Sequence, residues 1–572
     1  MTTKVETVSA GAREFDIDIY HGDITARAIE QSEWEFAWSS DEAPVVEREG
    51  DTIRIRQRGE PMNPPQLNLR LSIPAGAEVV RLRTGNGRIT GEDLRGQLAV
   101  RSGSGDLMLR AARGDIEIET ANGRVQAIDL DGRLQAGSGN GDILLQNTGG
   151  EATLDTKNGR VEVTAPRSLT LTVHSSHGDI QIGDGTLERV QAHTNAGSVR
   201  CSADLAEGQH RLATGHGDIT LRAARGDLEL HTMAGRIAVS DARGQLHAHT
   251  GHGDVLLQAT AGSAILETNA GRIEVKVPRE LHLQARSGNG DIHIGDGSLQ
   301  TLEVETKRGT VHCSANLGPA THIIANGHGD INLRSAGGES RLTTSAGKIE
   351  VQDAGGMLTA ESGNGDVLVR SATGEATLQT NNGRIEVAAP RGARVHAHSG
   401  HGDVQIGEGS VRELQIRTDM GRIMCMADLG PGRHELVSGN GDVALRLRPD
   451  VRARLDAQTS FGQIHADFAL VRVGRSGSMS FNGMRMVGSL GAGEPELEVA
   501  LRTGRGQIEI RRKEEDAPRY EPVPARSREQ ETTERSQAPT EQRVLEVLQA
   551  LARGEISLEE ADAMLAGTSA AV

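Results

Sequence analysis

Large aromatic side chains are scarce in this sequence of 572 residues, which has 2 Trp, 2 Tyr and 5 Phe. A globular domain of ordinary thickness uses such side chains to fill its core, because each of them buries a large apolar area. Apolar residues nevertheless make up 36% of the chain, and most of them are Val, Ile, Leu and Ala. This composition argues against a few wide cores and favours many thin layers of small aliphatic residues.

Positive charge is also in deficit, with 62 basic against 79 acidic residues and a formal net charge of −17. Sequence-independent binding to nucleic acid needs a basic stripe, so this balance predicts no nucleic-acid partner. Long hydrophobic runs are missing as well, and the opening residues MTTKVETVSAGAREFDIDIY contain no apolar signal-peptide core. We therefore expect no integral membrane segment and a cytoplasmic protein, with a location peripheral to the cell envelope as the alternative.

Cysteine is rare too, and the chain has only Cys201, Cys313 and Cys425. They have the same sequence parity as the apolar Val199, Val311 and Ile423, so we expect three buried free thiols. In the repeat described below they lie about 29 Å from one another, too far for disulfides within one chain. Free thiols fit a reducing compartment.

Glycine, in contrast, is abundant, with 72 residues at regular spacing. The glycine that precedes an Asp or Arg recurs every 18 to 20 residues, and the pattern repeats in three blocks of 112 residues, 105–216, 217–328 and 329–440. Constant spacing is typical of a repeat architecture and not of a linker. Because glycine tolerates positive φ in tight turns, we predict that positive φ explains the turn glycines, which are Gly105, Gly123, Gly141, Gly159, Gly217, Gly329 and Gly441.

Between the glycines, apolar and polar residues alternate, as in Ile143 and Leu145 against Asp142 and Leu144. An alternation of period two predicts a strand, and strands closed by glycine turns at constant spacing predict a β-solenoid. The predicted fold class is all-β: an elongated, single-stranded parallel β-solenoid of about 20 coils of about 18–20 residues, each with two arms, plus a small C-terminal α-hairpin.

The residue after each turn glycine alternates between an acid and a base, with Ser198 and Thr310 in place of the base at two positions. If the coils stack in register, these residues form a column along one edge, which we call the edge ladder. Opposite charges about 5 Å apart attract, and a slip by one coil would place acid beside acid. The charged members of the edge ladder, a candidate surface for a partner, are Asp106, Arg124, Asp142, Arg160, Asp179, Asp218, Arg236, Asp254, Arg272, Asp291, Asp330, Lys348, Asp366, Arg384, Asp403, Arg422 and Asp442.

A Thr or Ser stands three residues before many of these glycines, as at Thr120, Ser138 and Thr156. An exposed row of such residues would suggest ice binding. By parity with Leu154, however, these side chains point inward, and we expect them to make internal hydrogen bonds.

The period is looser at both ends of the chain, and the composition changes after residue 512. The segment KEEDAPRYEPVPARSREQETTERSQAPTEQ is charged and has few aliphatic residues, which predicts a disordered linker. Helical spacing follows, with a capping box at Ser557–Glu560, and this hairpin is expected to dock on a partner or to self-associate. Its apolar face is Leu545, Leu548, Leu551, Ile556 and Leu565. The predicted regions are an N-terminal β cap (1–80), the solenoid (81–450), its C-terminal coils or cap (451–512), the linker (513–539) and the helical hairpin (540–568).

The stretch LNLRLSIPAGAEVVRLRTGNGRITGEDLRGQLAV, residues 67–100, resembles the bacterial putative-adhesin family of β-strand-repeat proteins of unknown function. The motifs that carry the resemblance are IPAG, TGNGRI and LRGQL, and it extends over about residues 12–512. It implies a single-stranded β-helix without an established enzymatic activity. The segment VLQALARGEISLEEADAMLAG resembles a short, SHOCT-like helical hairpin attached to such proteins. This hairpin is similar to modules tied to envelope-stress and membrane-associated bacterial proteins.

We therefore expect a non-catalytic, adhesin-like scaffold without cofactor, metal site or catalytic residues. It would present its repeated charged surface to a protein or a surface polymer. One alternative is a calcium-binding β-roll, although bases occupy alternate coils where calcium would require carboxylates. Another is a carbohydrate-processing β-helix enzyme with its site in 450–500, where the period breaks. Such a site would need two carboxylates within about 10 Å of each other in a concave pocket.

Overall fold

The protein is described by a computed structural model that covers residues 4–8, 11–31, 33–40, 42–58, 65–472 and 483–513. The chain divides into two units, Met1–Lys513 and Glu514–Val572. The second unit lies outside the described residues. The predicted helical hairpin and all of the predicted linker after Lys513 therefore also lie outside them.

The described residues form strands and no helix. The N-terminal strands are β1 (Lys4–Val8), β2 (Glu14–His21), β3 (Ile24–Ile29), β4 (Trp34–Ser39), β5 (Val45–Glu49), β6 (Thr52–Arg56) and β7 (Asn68–Pro74). The first half of the repeated region contains β8 (Val79–Asn86), β9 (Ile89–Glu92), β10 (Arg95–Ser104), β11 (Leu107–Arg110), β12 (Arg113–Thr120), β13 (Val125–Ile128), β14 (Asp131–Ser138), β15 (Ile143–Gln146), β16 (Gly149–Thr156), β17 (Val161–Thr164), β18 (Arg167–His177), β19 (Ile180–Ile182), β20 (Thr186–Ala196), β21 (Val199–Leu205), β22 (Gln209–His216), β23 (Ile219–Ala234), β24 (Ile237–His252), β25 (Val255–Gln258), β26 (Ala261–Ala270) and β27 (Ile273–Lys276).

The second half of the repeated region continues in the same manner. It contains β28 (Arg279–Asn289), β29 (Ile292–Ile294), β30 (Ser298–Arg308), β31 (Val311–Cys313), β32 (Asn316–Leu317), β33 (Thr321–His328), β34 (Ile331–Ala336), β35 (Glu339–Ala346), β36 (Ile349–Ala354), β37 (Met357–Asn364), β38 (Val367–Ala372), β39 (Glu375–Asn382), β40 (Ile385–His401), β41 (Val404–Ile406), β42 (Ser410–Met420), β43 (Ile423–Cys425), β44 (Asp428–Leu429), β45 (Gly432–Asn440) and β46 (Val443–Leu447). The C-terminal strands are β47 (Ala453–Phe461), β48 (Ile464–Ala466), β49 (Val471–Arg472), β50 (Met484–Leu490), β51 (Leu497–Arg505) and β52 (Ile508–Arg512).

In the repeated region most coils contribute a longer and a shorter strand, whereas β23, β24 and β40 each run through both arms. Each arm pairs in parallel with its equivalent one coil away. Thus Leu98 lies beside Ile116, and Ile116 beside Leu134. The short strands stack in the same way, with Ile143 beside Val161. The result is a parallel β-solenoid of about 19 turns, which confirms the predicted fold class for the described residues.

The core is a stack of thin aliphatic layers that runs through all the coils. In one coil Leu107, Leu109, Ile116 and Ile118 are all buried, and the same positions are buried in the next coils. Successive side chains of a strand point to opposite faces, so the alternation seen in the sequence becomes an inside and an outside.

The predicted positive φ is found at three of the seven turn glycines, and a second constraint applies to all seven. Gly105, Gly123, Gly141 and Gly159 do not have positive φ, whereas Gly217, Gly329 and Gly441 have φ of 158°, 138° and 158°. At all seven positions an added Cβ would lie closer than 3.0 Å to the carbonyl oxygen of the glycine one coil before. The absence of a side chain therefore permits stacking at this corner.

Non-glycine residues with left-handed backbone occur at the opposite corner, after the short strands. Asp93, Ala111 and Asp129 have φ of 58°, 53° and 56° at this position in three successive coils. Asn140 and His216, which precede turn glycines, are not among the residues with positive φ.

Both ends depart from sequential stacking in the same way. At the N-terminal end the coil of β2 and β3 lies between the later coil of β6 and β7 and the coil of β8 and β9. At the C-terminal end the last coil, β51 and β52, is inserted between β45–β46 and β47–β48. Antiparallel strands flank the outermost coils: β4 and β5 at the first end, β50 at the other. These caps pair strands whose polar backbone would otherwise be open to other chains.

Among the described residues, no helix is long and apolar enough to cross a membrane.

Candidate functional site

The edge ladder occupies the corner between the end of each long strand and the start of the next short strand. Asp142, Arg160 and Asp179 directly precede Ile143, Val161 and Ile180, which pair side by side in register. The same pairing continues through the short strands and carries the other members of the edge ladder. The structure therefore brings its predicted residues into one column.

The aspartates of the edge ladder are fixed by hydrogen bonds to the backbone. The backbone N–H of Arg160 donates to Oδ1 of Asp142 at 2.8 Å. The equivalent bond forms at every ladder aspartate, with lengths of 2.8–2.9 Å, and links each to the residue one coil further on. Because a carboxylate accepts strongly from N–H groups, these bonds help to hold neighbouring coils in register.

The basic side chains of the edge ladder take little part in this network. The guanidinium groups of Arg124, Arg160, Arg236 and Arg272 make no hydrogen bond or ion pair with any described residue. Among the ladder members, the ion pair is Arg422–Asp442 at 3.9 Å. We expected attraction between stacked acids and bases to stabilise the column, but the contact observed is from carboxylate to backbone.

The remaining basic members bind carboxylates on their own strands. Lys348 donates to Glu350 at 2.7 Å, and Arg384 lies 3.3 Å from Glu386. Lys348 and Arg370 together hold the pKa of the Glu350 carboxyl below its usual value. Among the described residues the edge ladder thus exposes four unpaired guanidinium groups, and every backbone bond to a ladder aspartate uses Oδ1.

The hydroxyl residues before the turn glycines lie inside, as predicted. Thr120, Ser138 and Thr156 are buried. Their hydroxyls donate to the carbonyls of Gly105, Gly123 and Gly141 at 3.1, 2.9 and 3.2 Å. Because they cannot present hydroxyls to solvent, an ice-binding row at these positions is excluded.

The three cysteines are free and buried. Burial raises the pKa of the Cys201, Cys313 and Cys425 thiols to about 12. A thiol is a nucleophile only as the thiolate, so these side chains are unreactive packing groups.

Three buried histidines were missed in the sequence. His210, His322 and His434 are at most 2% exposed, and in each the Nε2–H donates to the carbonyl four residues earlier at 2.8–2.9 Å. Their Nδ1 atoms have no hydrogen-bond partner among the residues that the structure describes. These histidines recur every 112 residues, one in each block, and this spacing could have identified them in the sequence as equivalent positions.

Histidines also form exposed pairs on neighbouring coils. The rings of His231 and His249 stack at 5.2 Å, and those of His293 and His312 at 5.0 Å, both with an interplanar angle of 5°. Desolvation, and then the charge of the stacked partner, lower the pKa of His231 and His312. Within the described residues no group of three His, Cys, Asp or Glu side chains could hold a metal ion.

The surface grooves are open to solvent. A groove of about 830 Å³ crosses the long strands near the N-terminal end, from Tyr20 to Lys157, over a floor that includes Gly85, Gly103 and Gly139. Its floor is strand backbone and no loop encloses it among the described residues. Such a groove suits contact with an extended surface more than the enclosure of a small substrate.

The irregular 450–500 region contains carboxylates that are already engaged. Arg485 binds Asp456 through two hydrogen bonds of 2.8 Å and lowers the pKa of that carboxyl. The backbone N–H of Arg512 donates to Asp467 at 3.0 Å, and Glu496 pairs with Arg452. A glycosidase acid requires a raised pKa, which Asp456 does not have.

The comparisons with known proteins concern the solenoid. Among the curated proteins, none matches the chain. A structural match is the crystal structure of a putative cell adhesion protein from Clostridium sporogenes ATCC 15579, with 7% sequence identity and a TM-score of 0.10. The match covers 90% of this chain and 99% of that one.

The family comparison is more extensive. The Toastrack DUF4097 model matches residues 73–222, 170–334, 265–418 and 361–511 in four overlapping copies. Together these matches run from residue 73 to residue 511, more than half of the 572 residues. They include the repeated coils and the start and end of the regular stack, so the chain belongs to the Toastrack DUF4097 family, a family of unknown function.

Proposed function

We propose that this protein is a non-catalytic, adhesin-like β-solenoid scaffold whose edge ladder binds a macromolecular partner. The observation that carries the proposal is the set of unpaired guanidinium groups at Arg124, Arg160, Arg236 and Arg272, repeated on the same edge. A purely structural role would use these groups for contacts within the chain. Their side chains instead remain available in two pairs, Arg124 with Arg160 and Arg236 with Arg272, and the members of each pair are two coils, or about 10 Å, apart.

Repetition is the source of binding strength in this proposal. An exposed ion pair is worth about 0–1 kcal/mol on its own, so one ladder position cannot retain a partner. Many equivalent positions on a rigid scaffold raise the effective concentration of each later contact. The partner would therefore be long or repetitive itself, such as a surface polymer or a protein assembly.

The hairpin at 540–568 would add a second contact in this proposal. Its apolar face of five residues has too little area for an independent core, which supports docking on a partner or on a second hairpin. A location in the cytoplasm, or peripheral to the cell envelope, remains part of the proposal. The three free thiols support a reducing compartment.

Catalysis has no support in the described residues. The carboxylates of the edge ladder accept backbone N–H groups in every case, and Asp456 in the irregular region is held by Arg485. A calcium-binding β-roll would need several carboxylates around one ion, whereas the ladder aspartates alternate with other residues. These contacts favour a scaffold over the two alternatives.

The test compares the full chain with a variant carrying Arg124→Asp and Arg160→Asp, immobilised at equal density and exposed to cell extract. The matched control carries Arg83→Asp and Arg110→Asp, which change the net charge equally outside the edge ladder. We expect the ladder variant to lose the retained material and the control to keep it. Equal retention by all three proteins would refute a binding role for the edge ladder.

A further inference from the structure

The edge ladder is complementary to itself when a second copy is turned end for end. Acids occupy every second coil from Asp106 to Asp442, and seven of the nine positions between them are Arg or Lys. Reversing such a column leaves the alternation unchanged. Two antiparallel ladders offset by one coil therefore place each acid opposite a base or, at Ser198 and Thr310, opposite a hydroxyl, and no like charges face each other. We propose that the edge ladder binds a second copy of this chain in this antiparallel arrangement.

The first argument is that the fold does not need the bases. The backbone N–H that binds each aspartate is provided equally well by Ser198 and Thr310, at 2.8 Å in both cases. Gln507 does the same for Asp442 at 2.8 Å. An uncharged residue thus satisfies the intramolecular hydrogen bond, and the arginines require another explanation.

The second argument is the availability of both charges. The guanidinium groups of Arg236 and Arg272, near the middle of the ladder, have no partner among the described residues. Asp254, between them, uses Oδ1 for the N–H of Arg272 at 2.8 Å, and its Oδ2 is unpaired within the described part of the chain. Because the backbone bond already fixes the carboxylate, little side-chain freedom remains to be lost when a second copy binds.

The third argument is access. On three of the seven base-bearing coils, those of Arg236, Arg272 and Lys348, the residue before the turn glycine is alanine. On the other four coils it is Asn or Met. The small alanine side chain leaves Arg236 and Arg272, near the middle of the edge ladder, accessible to a second solenoid.

Symmetry and charge together favour a second copy of this chain over other partners. A two-fold axis makes each residue pair occur twice, so Arg272 of one copy lies opposite Asp254 or Asp291 of the second. With no offset, aspartate would face aspartate at every second coil, which is repulsive. A polyanion or a polycation would meet one set of like charges on the same edge, whereas a second copy meets none.

Salt should have two opposing effects on dimer formation, because each chain has a net charge of −17. At 0.1 M salt the Debye length is about 10 Å, so repulsion between the bodies of two chains is screened while contact pairs survive. At 1 M it is about 3 Å, and the contact pairs weaken as well. Dimer formation should therefore be strongest at intermediate salt.

The test measures sedimentation equilibrium of the purified full chain at about 0.1 M and 1 M salt. The ladder variant carries Arg236→Asp and Arg272→Asp, and the matched control carries Arg225→Asp and Arg279→Asp at the opposite corner. We expect a dimer at 0.1 M that dissociates at 1 M. The ladder variant should bind itself at least about tenfold more weakly than the control at 0.1 M.

Orientation is tested by zero-length carbodiimide cross-linking and peptide mass analysis. Lys348 is the one lysine of the edge ladder, and in the antiparallel arrangement it faces Asp179 or Asp218 of the second copy. Within one chain these residues are at least seven coils, or about 34 Å, from Lys348, so such a link can form only between copies. Links to Asp330 or Asp366 alone would contradict the arrangement.

This inference rests on the proposed function, since both use the edge ladder, but the two can fail separately. A chain that remains monomeric, or a dimer unaffected in the ladder variant, overturns the inference. If Arg124→Asp with Arg160→Asp still abolishes retention from extract, the scaffold role stands with a different partner. If neither experiment responds to ladder variants, both proposals are wrong.

Discussion

The repeated middle and the two ends of the solenoid are built from different residues. Between Gly87 and Gly441 the core is Val, Ile, Leu and Ala, the pairing is parallel, and each coil follows its predecessor in sequence. At the N-terminal end Phe15, Trp34 and Phe36 form an aromatic group with ring centroids 5.4–5.7 Å apart. The pairing there includes antiparallel strands and a coil inserted out of sequence order.

The difference shows what each region must achieve. A middle coil has a neighbour on both sides, so small side chains and stacked glycines suffice. A terminal coil has no neighbour on its outer face and needs additional apolar area and flanking strands. The few aromatic residues are therefore concentrated where the stack ends.

The largest expected effect comes from removing the aromatic cap. Trp34→Ala should destabilise the N-terminal end by about 3–5 kcal/mol, because Trp34 is fully buried between Phe15 and Phe36. Hydrogen exchange should then rise first in β2, β4 and β7. The matched change in the middle, Leu145→Ala, should raise exchange around β15 and leave the cap protected. Equal exchange throughout the solenoid in both variants would contradict the division into middle and ends.

The next effect tests the stacking of glycines. Gly141→Ala places a Cβ against the carbonyl of Gly123 and should cost about 1–3 kcal/mol in urea unfolding, as expected for overpacking. Gly76→Ala is the control, because no atom of the described residues lies within 4 Å of a Cβ at that position and its φ is not positive. If both substitutions had the same small effect, close stacking would not explain the glycine column.

The smallest expected effect is a loss of folding stability at acidic pH. Burial lowers the pKa of His434, with the Gly430 carbonyl and the Glu413 charge acting in the opposite direction. Between this lowered pKa and the unfolded value of about 6.5, the unfolded chain binds more protons than the folded one. Stability is therefore complete above about pH 6.5 and falls as the pH drops below it.

His434→Leu should reduce this loss of stability, because Leu414 and Val499 lie beside position 434 and an apolar side chain fits between them. Urea unfolding at about pH 7.5 and about pH 5 measures the difference. An unchanged dependence on pH in the variant would mean that His434 does not titrate during unfolding.

Much of the middle could be predicted from single residues and their spacing. The parity of Ile143 and Leu145 identified the buried face, and the step from Asp142 to Arg160 placed both on one edge because neighbouring coils pair in register. The inward hydroxyls of Thr120 and Thr156 followed from the same parity. Local periodicity was sufficient there, since each coil contacts copies of itself.

Contacts between coils could not be predicted in the same way. The turn glycines were attributed to positive φ, but a carbonyl one coil away excludes their side chains. The bond from Asp142 to the backbone N–H of Arg160 was missed for the same reason. Both contacts use backbone groups, so the residue type at the position of the carbonyl or of the N–H does not reveal them.

The sequence by itself determined the repeat, the two faces of every strand and the column in which charges alternate, because these depend on periods of two and of about 18 residues. The tertiary structure decided which groups those charges contact, that His434 is buried, and that the coil β51–β52 is inserted before β47–β48. The physical reason is that backbone hydrogen bonds between coils join residues of any type. Their partners therefore become visible only when the coils are stacked.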